Sequence, residues 1–202
     1  MKRTTTRRGR EIQHFVADNR RLFPFIGLFL LGAVVGVAAY VTLLPRDLAA
    51  VLSLRPVADG AGGWLYGMWN SLFSTLTMLT ALFLLGMWGC GAPFILAVPL
   101  FHGLGLGLTE AHYYARGFSG VLTTAGIIVP VGLLTGTVLA MAGAESLRLS
   151  VSLSRRLVSG DPEEGMRDPF RLYSLRFLLF LAGAVAVSFL DVLLRALLPQ
   201  LL

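Results

Sequence analysis

The densest grouping of side chains able to bind a metal or move a proton is Glu110-Ala111-His112, a candidate acid followed closely by a candidate base or ligand. Residues two apart on a helix point about 200° away from each other, so these two do not converge on one ion. His102 lies in an uncharged stretch, where a neutral imidazole serves either as a packed core residue with one hydrogen bond or as a ligand or proton site. Asp191 and Arg195 stand one helical turn apart, close enough to pair on one face and to offset each other's desolvation. That pair reads either as a packing clamp or as an external docking point. Glu145 and Arg148 mark the end of an apolar stretch and read as interfacial. The single cysteine, Cys90, excludes an internal disulfide, a Cys-rich zinc site and an iron–sulfur cluster held by this chain alone. Its place in a Gly/Pro cluster assigns it to a tight turn, where a small residue is needed.

No fuller catalytic constellation accompanies these residues. The sequence has no His-Glu-x-x-His helix, no Gly-x-Ser-x-Gly elbow, no P-loop and no pair of aspartates in apolar spans. A non-enzymatic chain without metal or cofactor is therefore expected.

The elements that must position these side chains are membrane spans. Of 202 residues 55% are hydrophobic and only 14% charged, far from the ~25% charged of a soluble domain. The mean hydropathy is +0.74. A bilayer core takes roughly 20 helical residues, which predicts an all-α, polytopic bundle of five transmembrane helices at about Phe23–Leu44, Leu72–Cys90, Phe94–Ala111, Phe118–Ala144 and Leu175–Leu198. Gly89-Cys90-Gly91-Ala92-Pro93 breaks the second from the third, predicting an antiparallel helical hairpin. The first span is too long for a signal peptide and has no small-residue cleavage site, so it reads as a retained anchor. Residues 1–202 form one domain.

Basic residues fix the expected orientation. Seven of the 17 Lys and Arg precede the first span and six lie between the fourth and fifth, against four on the opposite side. The positive-inside rule then places the N-terminus in the cytoplasm and the C-terminus outside. Residues 1–22 become a basic cytoplasmic tail, 45–70 an external loop and 145–174 a cytoplasmic loop. The basic excess thus reads as topology, and no nucleic-acid partner is expected.

Within these segments, Ile12, Phe15 and Val16 recur at helical spacing in residues 9–21, which form either an amphipathic stretch on the inner leaflet or a solvated tail. In the external loop, Asp47 can cap a short helix presenting Leu48, Val51 and Leu52, and the Gly60, Gly62, Gly63 cluster ends it. Trp64, Tyr66 and Trp69 suit the outer interface, as anchors or as partner contacts. Gly160-Asp161-Pro162-Glu163-Glu164-Gly165 reads as a loop.

The spans also carry the spacing of close helix contact. Gly32 and Gly36, Gly103 and Gly107, and the ladder Gly132, Gly136, Ala140, Ala144 each repeat every fourth residue. Small residues on one face let backbones touch, within the bundle or between protomers of a homo-oligomer. Ser71, Ser74, Thr75, Thr77 and Thr80 offer hydroxyls to neighbouring helices.

The hairpin turn Gly91-Ala92-Pro93, then His102-Gly103 with Gly107, then Gly143-Ala144-Glu145-Ser146-Leu147-Arg148-Leu149, and a last span bearing Asp191 and Pro199, resemble in order and spacing the stage II sporulation protein M family of bacterial membrane proteins. The resemblance covers most of the chain from the first span onward. Broader relatives begin the fourth span with a Pro-His-Gly-x-x-Glu pattern, where this chain reads Pro130-Val131-Gly132-Leu133-Leu134-Thr135, so any role of that His and Glu is not carried over. The resemblance implies a multi-pass scaffold of the bacterial cell membrane that localises extracytoplasmic peptidoglycan hydrolases during engulfment in sporulation. Family members also occur outside sporulating bacteria as transport-associated proteins, which keeps a permease-like subunit with a separate ATPase as the alternative. Membrane lipid is a partner in either case.

Overall fold

The computed structural model describes residues 22–42, 63–159 and 167–201, and every element among them is helical. The basic tail with its amphipathic stretch, the external loop up to residue 62, the 160–166 run and residue 202 lie outside the described residues, as do the side chains of Trp64 and Tyr66. The helices are α1 (Phe23–Thr42), α2 (Gly63–Gly86), α3 (Ala92–Tyr114), α4 (Phe118–Thr123), α5 (Val129–Ser159) and α6 (Arg167–Leu201). A π-helical segment, Thr124–Ile128, joins α4 to α5, so that Phe118–Arg155 runs as one rod of 38 residues.

Four helical stretches are long and apolar enough to cross a membrane: Phe23–Thr42, Ala92–Tyr114, Phe118–Arg155 and Phe170–Leu197. This is the layout of a multi-pass membrane protein. The apolar part of α2, Ser71–Gly86, is shorter than the roughly 20 residues of a full span. The helix as a whole is longer, at 24 residues.

α1 and α3 run parallel, since Gly32 lies against Leu100 and Leu104, and Gly36 against Leu104 and Leu108. α5 runs opposite to α1, with Gly136 on the Phe29 ring and Gly143 on the Phe25 ring. α6 is antiparallel to both α2 and α5: its start meets the end of α2 through Tyr173 and Phe83, and its middle meets α5 through Gly183 and Val138. The end of the bundle holding the starts of α1, α3 and α6 is called the A end, and the opposite one the B end. The spans of α3 and α4–α5 are 50% buried and those of α1 and α6 only 22%, which puts the former in the middle. The exposed faces of α1 and α6 are rows of Leu, Val, Ile and Phe, such as Leu30, Val34 and Val41, and Leu175, Leu179 and Phe189. Such faces suit lipid.

The turn between α2 and α3 is five residues, Met87–Gly91, and Pro93 belongs to the first turn of α3, where its missing N–H has no helical partner to lose. The two helices are antiparallel, yet α3 packs chiefly on α1. The expected hairpin is thus a chain connection rather than the main packing unit, because the glycines of α3 face α1. The π segment has a local cause in Pro130. The Val129 N–H donates to the Thr124 carbonyl five residues back, and this widened turn makes room for the proline ring that follows.

The main core comprises Phe25, Leu79, Leu82, Ile95, Leu139 and Ala142 with Tyr173, Phe177 and Ala184 of α6, and a second cluster joins Phe29, Leu106, Tyr113 and Ile128. Exposed aromatic residues stand at both ends: Trp88 and Phe94, stacked at 6.2 Å, at the A end, and Trp69, Tyr114 and Phe118 at the B end. The amphipathic rings among them, Trp88, Trp69 and Tyr114, favour the interface between lipid and water.

Candidate functional site

The seam between α1 and α3 is built from main chain. A Cβ on Gly32 would overlap the Leu100 carbonyl, and one on Gly36 the Leu104 carbonyl; reciprocally, Gly103 and Gly107 meet the Phe29 and Ala33 carbonyls. Four glycines at four-residue spacing thus interlock from both sides, which suits weak Cα–H···O contacts and close dispersion. The ladder of α5 works differently. Gly132 receives the Leu106 side chain and Gly136 the Phe29 ring, Ala140 is buried in the main core, and Ala144 packs at its edge. Its small residues are sockets for side chains of α1 and α3.

His102 is buried beside this seam, its ring stacked on Phe29 at 5.7 Å and 23°. It lies next to Gly103, so the same contact that brings the backbones together covers the imidazole. Pro99, one turn earlier, is fully buried within α3.

A polar cluster at the A end was not singled out from sequence. α2 ends there, and its final carbonyls need donors from elsewhere. The Tyr173 hydroxyl of α6 donates to the Phe83 carbonyl at 3.0 Å and lies 3.2 Å from Ser146 Oγ of α5, while Ser150 Oγ donates to the Trp88 carbonyl at 2.7 Å. Gly86 leaves room for the Tyr173 hydroxyl. Alongside, Glu145 accepts a hydrogen bond from Arg176, tying α5 to α6 by a half-buried ion pair. The legible signal was the helical spacing of Ser146 with Ser150 and of Tyr173 with Arg176 on facing helices. Glu145 is therefore paired within the bundle, whereas Arg148 remains exposed.

At the B end, Asp191 is 1% exposed and accepts a hydrogen bond from Arg195 Nε at 3.1 Å. Ala184, Ser188 and Asp191 form one buried face of α6, and α6 also touches the π segment. On α3, His112 Nε2 lies 3.2 Å from Arg116, whose guanidinium also sits 5.2 Å over the Tyr113 ring. Glu110 does not join it, and among the described residues no group of three or more His, Cys, Asp or Glu could hold a metal ion. Cys90 is exposed in the turn. The steric demand there falls on Gly91 instead, whose Cβ would overlap the Leu85 carbonyl.

The buried hydroxyls in the middle of the bundle are satisfied by their own helices. Thr75 bonds the Ser71 carbonyl, Thr109 that of Gly105, Thr124 that of Gly120 and Thr135 that of Val131, all at 2.8–3.0 Å. Of the second-span hydroxyls expected to reach neighbouring helices, Thr75 and Thr77 instead bond carbonyls of their own helix. A threonine already bonded to the carbonyl four residues back has no free proton to offer across the interface.

These features describe a tightly sewn bundle with polar closures at both ends and one buried acid near the B end. Comparison with family models, curated proteins and solved structures returns no match for the chain.

Proposed function

We propose that this chain is a non-enzymatic scaffold of a bacterial cell membrane, crossing it five times, that holds extracytoplasmic peptidoglycan hydrolases in place, as during engulfment in sporulation. The observation that supports the reading is the interlocked α1–α3 seam, which packs those two helices backbone to backbone, as a platform that works by position would need. The five crossings are supported by parallel α1 and α3, because a chain that rises twice must descend between them, and α2 runs in that direction. The basic asymmetry puts the A end in the cytoplasm. The external surface then includes residues 45–70, with the Asp191–Arg195 pair on the same side. The wall-hydrolase partner rests on the resemblance to the stage II sporulation protein M family. It is tested by affinity recovery from detergent: the intact chain should bring down an external hydrolase, and a chain with residues 57–63 replaced by a Gly/Ser linker should not.

One pair of observations favours a second reading, a permease-like subunit with a separate ATPase. A π segment interrupts the α4–α5 rod, and α6, which carries the buried Asp191, touches it. π-bulges within helices are frequent at functional sites, and intramembrane acids often mark substrate or ion pathways. Substrate flux in proteoliposomes that is lost in Asp191→Asn would establish that reading over the scaffold.

A further inference from the structure

Between the start of α1 and the A end of α5 lies a groove of about 630 Å³ whose accessible lining is largely apolar, its floor formed by Pro24, Leu147 and Val151 over the buried Phe25. Its rim is basic. Arg148, Ser152 and Arg155 follow one another at spacings of four and three residues, so they line one edge along a single face of α5. Both arginines are exposed, and neither has a carboxylate partner among the described residues, whereas Arg176 and Arg195 are each paired. The groove also lies at the end of the bundle that carries the exposed Trp88, a residue type that favours the lipid–water interface.

We propose that this groove holds one anionic phospholipid, an acyl chain lying along Pro24, Leu147 and Val151 and the headgroup phosphate resting between Arg148 and Arg155. Each part of the site answers one part of that molecule. Apolar side chains take the hydrocarbon and two guanidiniums take the negative phosphate, while the Ser152 hydroxyl between them donates to the Leu149 carbonyl of its own helix. The chain's own segment preceding α1 is a poor occupant. Residues 1–21 carry seven Lys and Arg against Glu11 and Asp18, a charge of the same sign as the rim. A zwitterionic lipid would fill the floor equally well but would gain little from the two cations. The inference rests on the membrane-spanning reading and is independent of the scaffold role.

The test uses the full chain in mild detergent with phosphatidylglycerol or phosphatidylcholine added, scored by lipid retained in native mass spectrometry and by the shift in melting temperature. The expected result is a preference for phosphatidylglycerol that falls roughly fivefold in Arg148→Gln or Arg155→Gln and about 30-fold in the double variant, from ~1 kcal/mol per interfacial arginine. Val151→Trp should reduce retention of both lipids by filling the floor. If the double variant does not fold, the intact chain still decides, because the preference should shrink when salt is raised to about 1 M. Equal retention of the two lipids by the intact chain, or a preference untouched by salt, overturns the proposal. Such a failure would leave the scaffold reading standing, since hydrolase recovery does not depend on this groove.

Discussion

Gly103 of α3 and Phe29 of α1 meet main chain to main chain, the Phe29 carbonyl occupying the space that a Cβ on residue 103 would take. The contact recurs one turn on, between Gly107 and Ala33, and is answered from α1 by Gly32 and Gly36. Gly103→Ala should therefore force the helices apart and lower stability by about 1–3 kcal/mol, even though alanine is the better helix former. Gly27 is the control. Nothing lies within 4 Å of its would-be Cβ, so Gly27→Ala should be neutral or stabilising by up to about 1 kcal/mol. Thermal melting in detergent, followed by size exclusion, separates the two.

The α5 ladder makes a milder demand. A Cβ on Gly136 would come within 3.0 Å of the Phe29 ring, which is a side chain able to move. Gly136→Leu should still reduce yield and melting temperature far more than Leu134→Ala, because Leu134 is exposed. Equal losses would mean that the ladder faces lipid.

Four-residue repeats of glycine were legible from sequence as contact faces, but whether backbone would fill the space, as at Gly32, Gly36, Gly103 and Gly107, or a side chain, as at Gly132 and Gly136, was not. Nor was the helix each would meet, since spacing names a face and never its partner. The helices themselves were visible through their apolar runs. The start of the 145–174 segment reads as an extension of the fourth helix, and α5 does run on to Ser159, but the early start of α6 at Arg167 was not visible, because side chains there such as Tyr173 are polar by composition and buried by contact. Asp191 and Arg195 could be paired from their spacing alone. That the acid is almost wholly buried while Arg195 keeps some exposure depends on helices far away in sequence.

The hydroxyls that close the end of α2 should be measurable one at a time. Tyr173→Phe removes the donor to the Phe83 carbonyl and the contact with Ser146, and Ser150→Ala removes the donor to Trp88. Each should cost about 1–2 kcal/mol, with the loss read as a lower melting temperature and little change in helix content by circular dichroism. A neutral Tyr173→Phe would mean that water replaces the phenol there.

At the other end, Arg195→Met removes a cation from a nearly buried carboxylate and should destabilise by more than the ~1 kcal/mol of an exposed pair. Adding Asp191→Asn should recover part of that loss, since the buried charge goes with its partner. A double-mutant cycle gives the coupling directly. Strict additivity would show that Asp191 is held by its other contacts alone.

Topology follows from cysteine labelling. In a Cys90→Ser background, single cysteines at Gly60 and Leu202 should react with an impermeant thiol reagent from outside, and those at Thr5 and Gly165 should not. Labelling of position 165 from outside would contradict five crossings with a cytoplasmic A end.

The scaffold claim meets its most direct test in the proteins recovered with the chain after cross-linking in cells and purification in mild detergent. The account predicts an external peptidoglycan hydrolase with the intact chain, and its loss when residues 57–63 become a Gly/Ser linker that leaves Trp69 and the spans in place. Recovery of an ATPase without any external hydrolase would contradict it.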